Sequence, residues 1–246
     1  MNHMSDSRFS NEQFLAIYPP GIERYYWNHA KNMVVANVLT RVGAKGILDV
    51  GAGAGIVTAY LKKMGMPIWG VELAPVPLNA LTEALGDNFF AGKSVEELPL
   101  EIKQKIDTVS LLDVIEHLED PREIITSAEK ALPNLQNIVI TVPARQELWS
   151  NYDEFNGHYV RYDCTGLIHV FEGLGWHAES CGYYFHTLYY PAWLLAKTRI
   201  KRATILSAPA GWKVPLHALL AKLFYWEYKV LPRSLPGSSI VAVFKK

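Results

Sequence analysis

Ile47-Leu48-Asp49-Val50-Gly51-Ala52-Gly53-Ala54-Gly55 is an apolar run that ends in three glycines spaced two apart and leads directly into a helical pattern beginning at Ile56. Glycine lets a strand turn sharply into a helix and lets a ligand approach the strand end closely. The stretch therefore predicts a strand–turn–helix unit with a nucleotide-like ligand at the carboxyl end of the strand. A dinucleotide fingerprint needs its third glycine three residues after the second, and Ile56 stands there. A phosphate-binding G-x-x-x-x-G-K-S loop also fails, because before Gly92-Lys93-Ser94 its first glycine would fall on Asp87.

Outward from this unit, short apolar runs at 46–50, 68–72, 88–91, 106–112 and 137–142 read as strands, and helical patterns at 56–64, 76–85 and 121–132 separate them. For the last helix Asp120 is the expected N-cap, with Pro121 at N1 and Glu123 at N3. Such alternation builds an α/β fold with a parallel, doubly wound sheet. Upstream, 21–42 reads as an amphipathic helix carrying Val34, Val35, Val38 and Leu39 behind an aromatic start, Tyr25-Tyr26-Trp27. Downstream, a loop leads to a helix at 165–174 capped by Asp163, then to strand candidates at 176–185 and 238–244 that suit an antiparallel pair.

Three regions result: a helical cap over 1–45, a main domain over 46–185 and 238–246, and an insertion over 186–237. The insertion holds five prolines and two helical patterns. In the second, Leu216, Leu219, Leu220, Leu223 and Val230 keep helical spacing, with Lys222 and Lys229 on another face. The sheet does not require this segment, which reads as a lid or a docking surface.

The chain has 246 residues, 50% of them apolar, with 24 basic and 24 acidic side chains. That composition excludes a disordered chain and allows one large domain or one domain with a subdomain. The zero net charge hides an asymmetry. Residues 1–179 carry 14 basic and 23 acidic side chains, whereas 180–246 carry 10 basic residues against Glu227 alone. A basic C-terminal part points to an anionic partner. Cys164 and Cys181 make at most one bridge, so a reducing compartment is expected. MNHMSDSRFSNEQF at the start lacks a charged-then-apolar leader pattern, and no window reaches the roughly 18 apolar residues of a membrane span. A cytoplasmic protein, soluble or peripherally bound, is the expectation.

The run from Gly46 to Pro143 resembles the class I S-adenosylmethionine-dependent methyltransferases, of the type 11/12/23 kind. The matching pieces are LDVGAGAG, GVELAP, SVEELPL, TVSLLDVIEHLEDP and IVITVPA, in that order. The resemblance implies a Rossmann-like, mostly parallel seven-stranded sheet with an antiparallel last strand, preceded by the helical insertion. It implies S-adenosylmethionine as cofactor and S-adenosylhomocysteine as product. Gly51, Ala52 and Gly53 would give close access to the methionine part, with Asp49 near its amino group and Asp113 facing the same end. Glu72 would accept hydrogen bonds from both ribose hydroxyls, a task suited to two carboxylate oxygens. Leu73 would pack on the adenine, Ser94 would contact its amine, and Val95 would offer a backbone N–H. Tyr26 and Lys31 would close over the methionine end.

Methyl transfer from a sulfonium needs mainly alignment of the acceptor, and a hydroxyl acceptor also needs a base, for which histidine is suited near neutral pH. Two places offer one. In Asp113-Val114-Ile115-Glu116-His117 the first, fourth and fifth residues share a helical face. The loop after the fifth strand holds Trp149, Asp153, Glu154, His158, Tyr159 and Arg161 at the edge where ligands bind in such folds. His158, Asp113 and His117 are the catalytic candidates. His158, Arg161, Tyr159 and Trp149 are the acceptor-binding candidates, with Arg161 either binding an anion or pairing with Asp153 or Glu154. No metal is expected, although Asp113, Glu116, His117 and His158 resemble the divalent-ion set of the small-RNA 2′-O-methyltransferases.

In the insertion, basic residues alternate with Tyr190, Trp193, Trp212, Phe224 and Trp226. This composition suits a lid, an anionic membrane surface or, less well, nucleic acid. The expected function is methyl transfer to oxygen of a small or lipid-linked acceptor. Metal-assisted RNA 2′-O-methylation and a non-catalytic cofactor-fold module are the alternatives.

Overall fold

The computed structural model describes residues 14, 16–77 and 79–246. The expectation drawn from the first fourteen residues lies, but for Phe14, outside them. Seven strands, β1 Ile47–Val50, β2 Ile68–Glu72, β3 Phe89–Ala91, β4 Thr108–Leu112, β5 Asn137–Pro143, β6 His177–Tyr184 and β7 Ser239–Lys245, form one sheet in the order β3-β2-β1-β4-β5-β7-β6. The first five are parallel, and β7 runs antiparallel between β5 and β6. β1, β4 and all but the last residue of β5 are buried at every position, as strands covered on both faces must be.

Helices whose bounds are described are α1 Tyr26–Val42, α2 Ile56–Lys63, α3 Ala80–Leu85, α4 Leu100–Lys103, α5 Arg122–Ala131, α6 Asn151–Phe155, α7 Cys164–Glu172, α8 His186–Thr198 and α9 Lys213–Val230. Two apolar clusters lie on the sheet. One joins Ile125, Leu167, Phe171 and Trp176 to β4, β5 and β7, with the Phe171 and Phe244 rings stacked 3.9 Å apart. The other joins Val34, Val35 and Leu39 of α1 to Leu61, Tyr184, Ala221 and Tyr228. Strand order reverses at β1, which lies between β2 and β4. A crevice at the carboxyl ends of β1 and β4 follows from that reversal, and ligands bind there in open α/β sheets.

Asp163 caps α7 as expected, accepting a hydrogen bond from the Gly166 N–H at 2.7 Å. Three expectations are corrected. The 21–42 helix is broken at Tyr25 (φ −65°, ψ 135°) into a short 3₁₀ turn, Ile22–Arg24, and α1. The helix expected over 76–85 is confined to α3, where Asn79 makes a capping box with Thr82. α5 starts at Arg122 with Pro121 at its cap, and Asp120 meets the Arg122 N–H at 3.0 Å and also its guanidinium. On α9, Leu216, Leu219, Leu223 and Val230 of the leucine pattern face solvent. Ala221 and Tyr228, with Phe224 and Tyr225, supply the packed side instead.

The 186–237 segment is pinned from within by Glu227. Its carboxylate accepts from the His186 N–H at 2.6 Å, the Thr187 N–H at 3.1 Å and the Thr187 hydroxyl at 2.5 Å. A buried acid of α9 thus satisfies the open N–H groups at the start of α8, where negative charge also complements the helix dipole. Cys164 and Cys181 are free thiols.

Candidate active site

The glycine turn closes β1 onto α2. Gly51, Gly53 and Gly55 have φ of +73°, +54° and +73°, values that side-chain-bearing residues rarely adopt. A Cβ on Gly51 would stand 2.7 Å from Val114 Cγ2, and one on Gly53 would stand 3.0 Å from the Tyr18 hydroxyl. The turn therefore requires glycine for space as well as for backbone angle. Glu72, ending β2, braces it: one carboxylate oxygen accepts from the Gly53 N–H and the other from the Ala74 N–H, each at 2.9 Å. Each oxygen keeps a further lone pair. The Lys93 N–H donates to the Glu72 carbonyl at 3.2 Å, which brings the loop leading to Ser94 and Val95 beside the end of β2. Leu73 is exposed at the rim, Val95 is buried in the core, and Ser94 opens a 3₁₀ turn with its N–H on Glu97 at 2.7 Å.

Asp49 lies beneath the turn. Thr58 and Ser110 donate to its carboxylate at 2.7 and 3.1 Å, and burial raises its pKa to about 6. Asp113, one residue beyond β4, has the left-handed φ of +59°. A left-handed non-glycine residue costs about 1–3 kcal/mol and persists only when its surroundings hold it. Here Lys31 Nζ sits 2.7 Å from Asp113 Oδ2, and the Thr141 hydroxyl donates to Oδ1 at 3.1 Å. Lys31 is itself buried, with Nζ 4.6 Å from the centre of the Trp27 ring. A cavity of about 30 Å³ under the turn is lined by Tyr18, Asn28, Lys31, Asp49, Gly51 and Ala52, among others.

It adjoins a second cavity of about 550 Å³, which shares Tyr18, Asn28, Lys31 and Leu112 with it. Asp113, Glu116, His117, His158 and Arg161 line this cavity on the side of the sheet. Leu188, Pro191, Ala192 and Leu195 of α8, with Arg202, Ala203 and Leu206, line it from the 186–237 segment. Residues of that segment therefore wall the cavity on the side away from the sheet. Arg202 is tied to α6 by paired hydrogen bonds with Asn151 at 2.8 and 3.0 Å. Tyr26 lines the cavity where α1 meets α9, with its N–H on His217 Nδ1 at 3.1 Å and its ring stacked on Phe224.

His158 Nδ1 is 3.0 Å from Asp153 Oδ1, which also takes the Arg161 Nε–H at 2.7 Å. Asp153 is fully buried. Burial alone would raise its pKa, but the hydrogen bond with His158 and the charge and hydrogen bond of Arg161 outweigh it and hold the carboxyl at about 2. An ionised Asp153 orders the ring: Nδ1 carries the proton donated to it and Nε2 is left to accept one. Arg161 also donates to the Ala144 carbonyl at 3.0 Å, so pairing, one of its two expected roles, is the one built into the fold.

His117 packs edge-on against His158, with ring centres 4.7 Å apart. Burial, then the neighbouring His158, pushes its pKa down to about 4, so it is neutral at pH 7. Glu116 is buried, and neither carboxylate oxygen has a hydrogen-bond partner among the described residues. Burial and then Asp113 hold its carboxyl well above the usual range. Atoms of Glu116, His117 and His158 lie within 4.8 Å of one another and would suit a divalent cation. Asp113, the fourth residue of that resemblance, is committed to Lys31 and Thr141 instead. Trp149 and Tyr159 do not line this cavity. Tyr159 gives its N–H to the Glu116 carbonyl at 2.7 Å and is 38% exposed, while Trp149 closes a 3₁₀ turn onto Gln146.

Two site residues escaped the sequence reading. Tyr18, against the glycine turn, had no motif to mark it. Asp153 was visible only as a partner for Arg161, although an acid five residues before a histidine in one short loop was the available signal for a dyad.

Residues 26–180 match the model of a family described as a methyltransferase domain. The chain belongs to that methyltransferase family. The chain is 30% identical over 93 residues to the ubiquinone biosynthesis O-methyltransferase of Acinetobacter baylyi, covering 36% of this chain and 39% of that one. It is 31% identical over 113 residues to the enzyme of the same name from Xanthomonas euvesicatoria pv. vesicatoria, covering 42% and 46%. The methyltransferase thus spans less than half the length of these curated relatives. Its fold is shared with magnesium protoporphyrin IX methyltransferase from Synechocystis PCC 6803 with bound SAH (TM-score 0.53, 11% identity, covering 89% and 83%). It is also shared with a plantazolicin methyltransferase in complex with a triazolic desmethylPZN analog and SAH (TM-score 0.52, 14% identity, 96% and 88%). The methyltransferase therefore has the seven-stranded α/β fold of the S-adenosylmethionine-dependent class.

Proposed function

We propose that this methyltransferase moves the methyl group of S-adenosylmethionine to a hydroxyl oxygen of a small or lipid-linked, largely apolar acceptor, with His158 as general base. The observation that carries this reading is the Asp153–His158 pair facing a cavity of about 550 Å³ that adjoins the glycine turn. The turn suits the cofactor: a side chain at Gly51 or Gly53 would fill the cradle, and Glu72 at the end of β2 keeps lone pairs free for a ribose. Asp49, which lines the small cavity under the turn, is the acidic partner for a cationic methionine end.

When bound, the cofactor supplies a sulfonium methyl group already activated for in-line displacement. Asp153 holds His158 in the tautomer whose Nε2 accepts the acceptor's hydroxyl proton. The α8 roof, with Leu188, Pro191, Ala192 and Leu195, excludes water and favours an apolar acceptor. The names of the curated relatives agree with O-methylation of a small molecule.

Calorimetric titration with S-adenosylmethionine and S-adenosylhomocysteine, followed by transfer assays on phenolic acceptors with and without an isoprenoid tail, tests the reading. Binding of cofactor without transfer to any hydroxyl would favour a non-catalytic module, and absence of cofactor binding would overturn the enzyme reading. A second reading, metal-assisted methylation of an RNA 2′-hydroxyl, is favoured by the Glu116, His117 and His158 cluster. It requires that activity disappear with chelator, return with a divalent cation, and be directed at RNA.

A further inference from the structure

α9 exposes large apolar side chains along one line. Trp212 just before it and Leu216, Leu219, Leu223, Trp226 and Val230 along it recur every three or four residues, and Trp212, Leu219 and Trp226 are 73%, 55% and 63% exposed. Lys222 and Lys229 flank this stripe on one edge, both exposed. α8 repeats the pattern on a shorter scale: Tyr190, Trp193 and Leu194 are exposed, and Lys197 Nζ lies 4.8 Å from the centre of the Trp193 ring. Soluble surfaces rarely carry so many exposed large apolar groups in a row without a partner for them.

The charge around the stripes has one sign. Lys197, Arg199, Lys201, Lys213, Lys222 and Lys229 are exposed, and none of them forms an ion pair among the described residues. Glu227, the lone acid of residues 180–246, is buried at the start of α8. No helix of the described residues is long and apolar enough to cross a membrane.

We propose that the exposed faces of α8 and α9 dock this methyltransferase onto an anionic phospholipid bilayer, with the leucines and tryptophans in the headgroup–acyl boundary and the lysines on lipid phosphates. Leu216, Leu219, Leu223 and Val230 decide for a bilayer over RNA, because aliphatic side chains gain from acyl chains and little from stacked bases. A second copy is disfavoured by charge, since pairing these faces would bring lysines together with no exposed acid in the segment to meet them. Lysine stems lying along apolar surface with the ammonium at the polar boundary are the interfacial arrangement. α8 lines the cavity with one side and exposes Tyr190 and Trp193 on another. Docking through it would set the cavity roof against the lipid phase, where an apolar acceptor is concentrated. Docking is separate from methyl transfer, and its test involves neither cofactor nor acceptor.

Sedimentation of the full chain with vesicles of phosphatidylcholine alone, and of phosphatidylcholine with phosphatidylglycerol at 3:1, is the experiment. The expected result is retention on the anionic vesicles only, reduced by 0.5 M salt. Lys222→Ala with Lys229→Ala is expected to weaken retention roughly 25-fold, at the strength usual for two lysines at an anionic surface. Leu219→Glu with Trp226→Glu is expected to abolish it, with an unchanged circular dichroism melt showing that the fold is kept. No retention of the parent chain overturns the proposal, as does equal retention of the Leu219/Trp226 variant. A salt-sensitive RNA gel shift without vesicle binding, or a dimer in gel filtration that Trp226→Glu dissociates without vesicle binding, also overturns it.

Discussion

Replacing Asp153 with asparagine separates the electrostatic work of this side chain from its shape. In the parent chain Asp153 holds its pKa at about 2 against an ordinary 3.8, with a side chain fully buried between His158 and Arg161. At roughly 1.4 kcal/mol per pH unit, that depression stabilises the fold by about 2 kcal/mol at neutral pH. The folded pKa lies below the unfolded one, so the contribution is complete above about pH 5 and is lost as pH falls through 4 towards 2. The amide of the Asp153→Asn variant keeps an acceptor oxygen but leaves the buried Arg161 guanidinium without its counter-charge, a defect that costs at least as much. Urea unfolding followed by tryptophan fluorescence at pH 7, 5 and 3 should show a gap of about 2–3 kcal/mol at pH 7 that closes towards pH 3. Transfer activity should fall about 10²–10⁴-fold, because the His158 tautomer is no longer fixed. A gap below about 0.5 kcal/mol at pH 7, or one that persists unchanged at pH 3, would refute the argument.

Four further substitutions probe the site. His158→Gln should lower kcat about 10²–10⁴-fold while calorimetry shows unchanged affinity for S-adenosylhomocysteine; a parallel loss of affinity would move His158 from base to cofactor contact. Gly51→Ala places a Cβ 2.7 Å from Val114 at φ +73° and should cost about 1–3 kcal/mol in thermal melts, with at least tenfold weaker cofactor binding. Adding Val114→Ala should recover part of the stability, since it removes the clash and leaves the backbone cost; no recovery would mean that the clash is relieved elsewhere. Asp49, whose pKa is raised to about 6 by burial, should make the parent chain less stable as pH rises from 4 through 6, by about 3 kcal/mol at most. Asp49→Asn should lack that fall, and identical pH profiles for the two chains would contradict the assignment.

Strands were legible because parallel strands covered on both faces must be nearly continuous apolar runs, and the glycines at 51, 53 and 55 mark a turn where a side chain has neither room nor a favourable backbone angle. The leucine stripe of α9 shows where legibility stops. Phe224, Tyr225 and Tyr228 are large aromatic groups on another side of the same helix, and the leucine periodicity alone does not tell which side meets α1. Three-dimensional packing made the choice, selecting the aromatic side. Asp153 and His158 were close enough in sequence to be found together, whereas the approach of His117 to His158 depends on how the loop after β5 folds back over the end of β4. Nothing local in the sequence encodes that return.

Glu227 ties the fate of two helices together. Its carboxylate takes three hydrogen bonds from the first residues of α8, so α9 cannot lift away without uncapping its neighbour, and α8 cannot fray from its start without stranding a buried acid. The pair should open as one cooperative unit, with matching hydrogen-exchange rates at the first turn of α8 and the last turn of α9. The roof of the cavity is therefore held by a latch that lies inside the protein, out of reach of solvent salt.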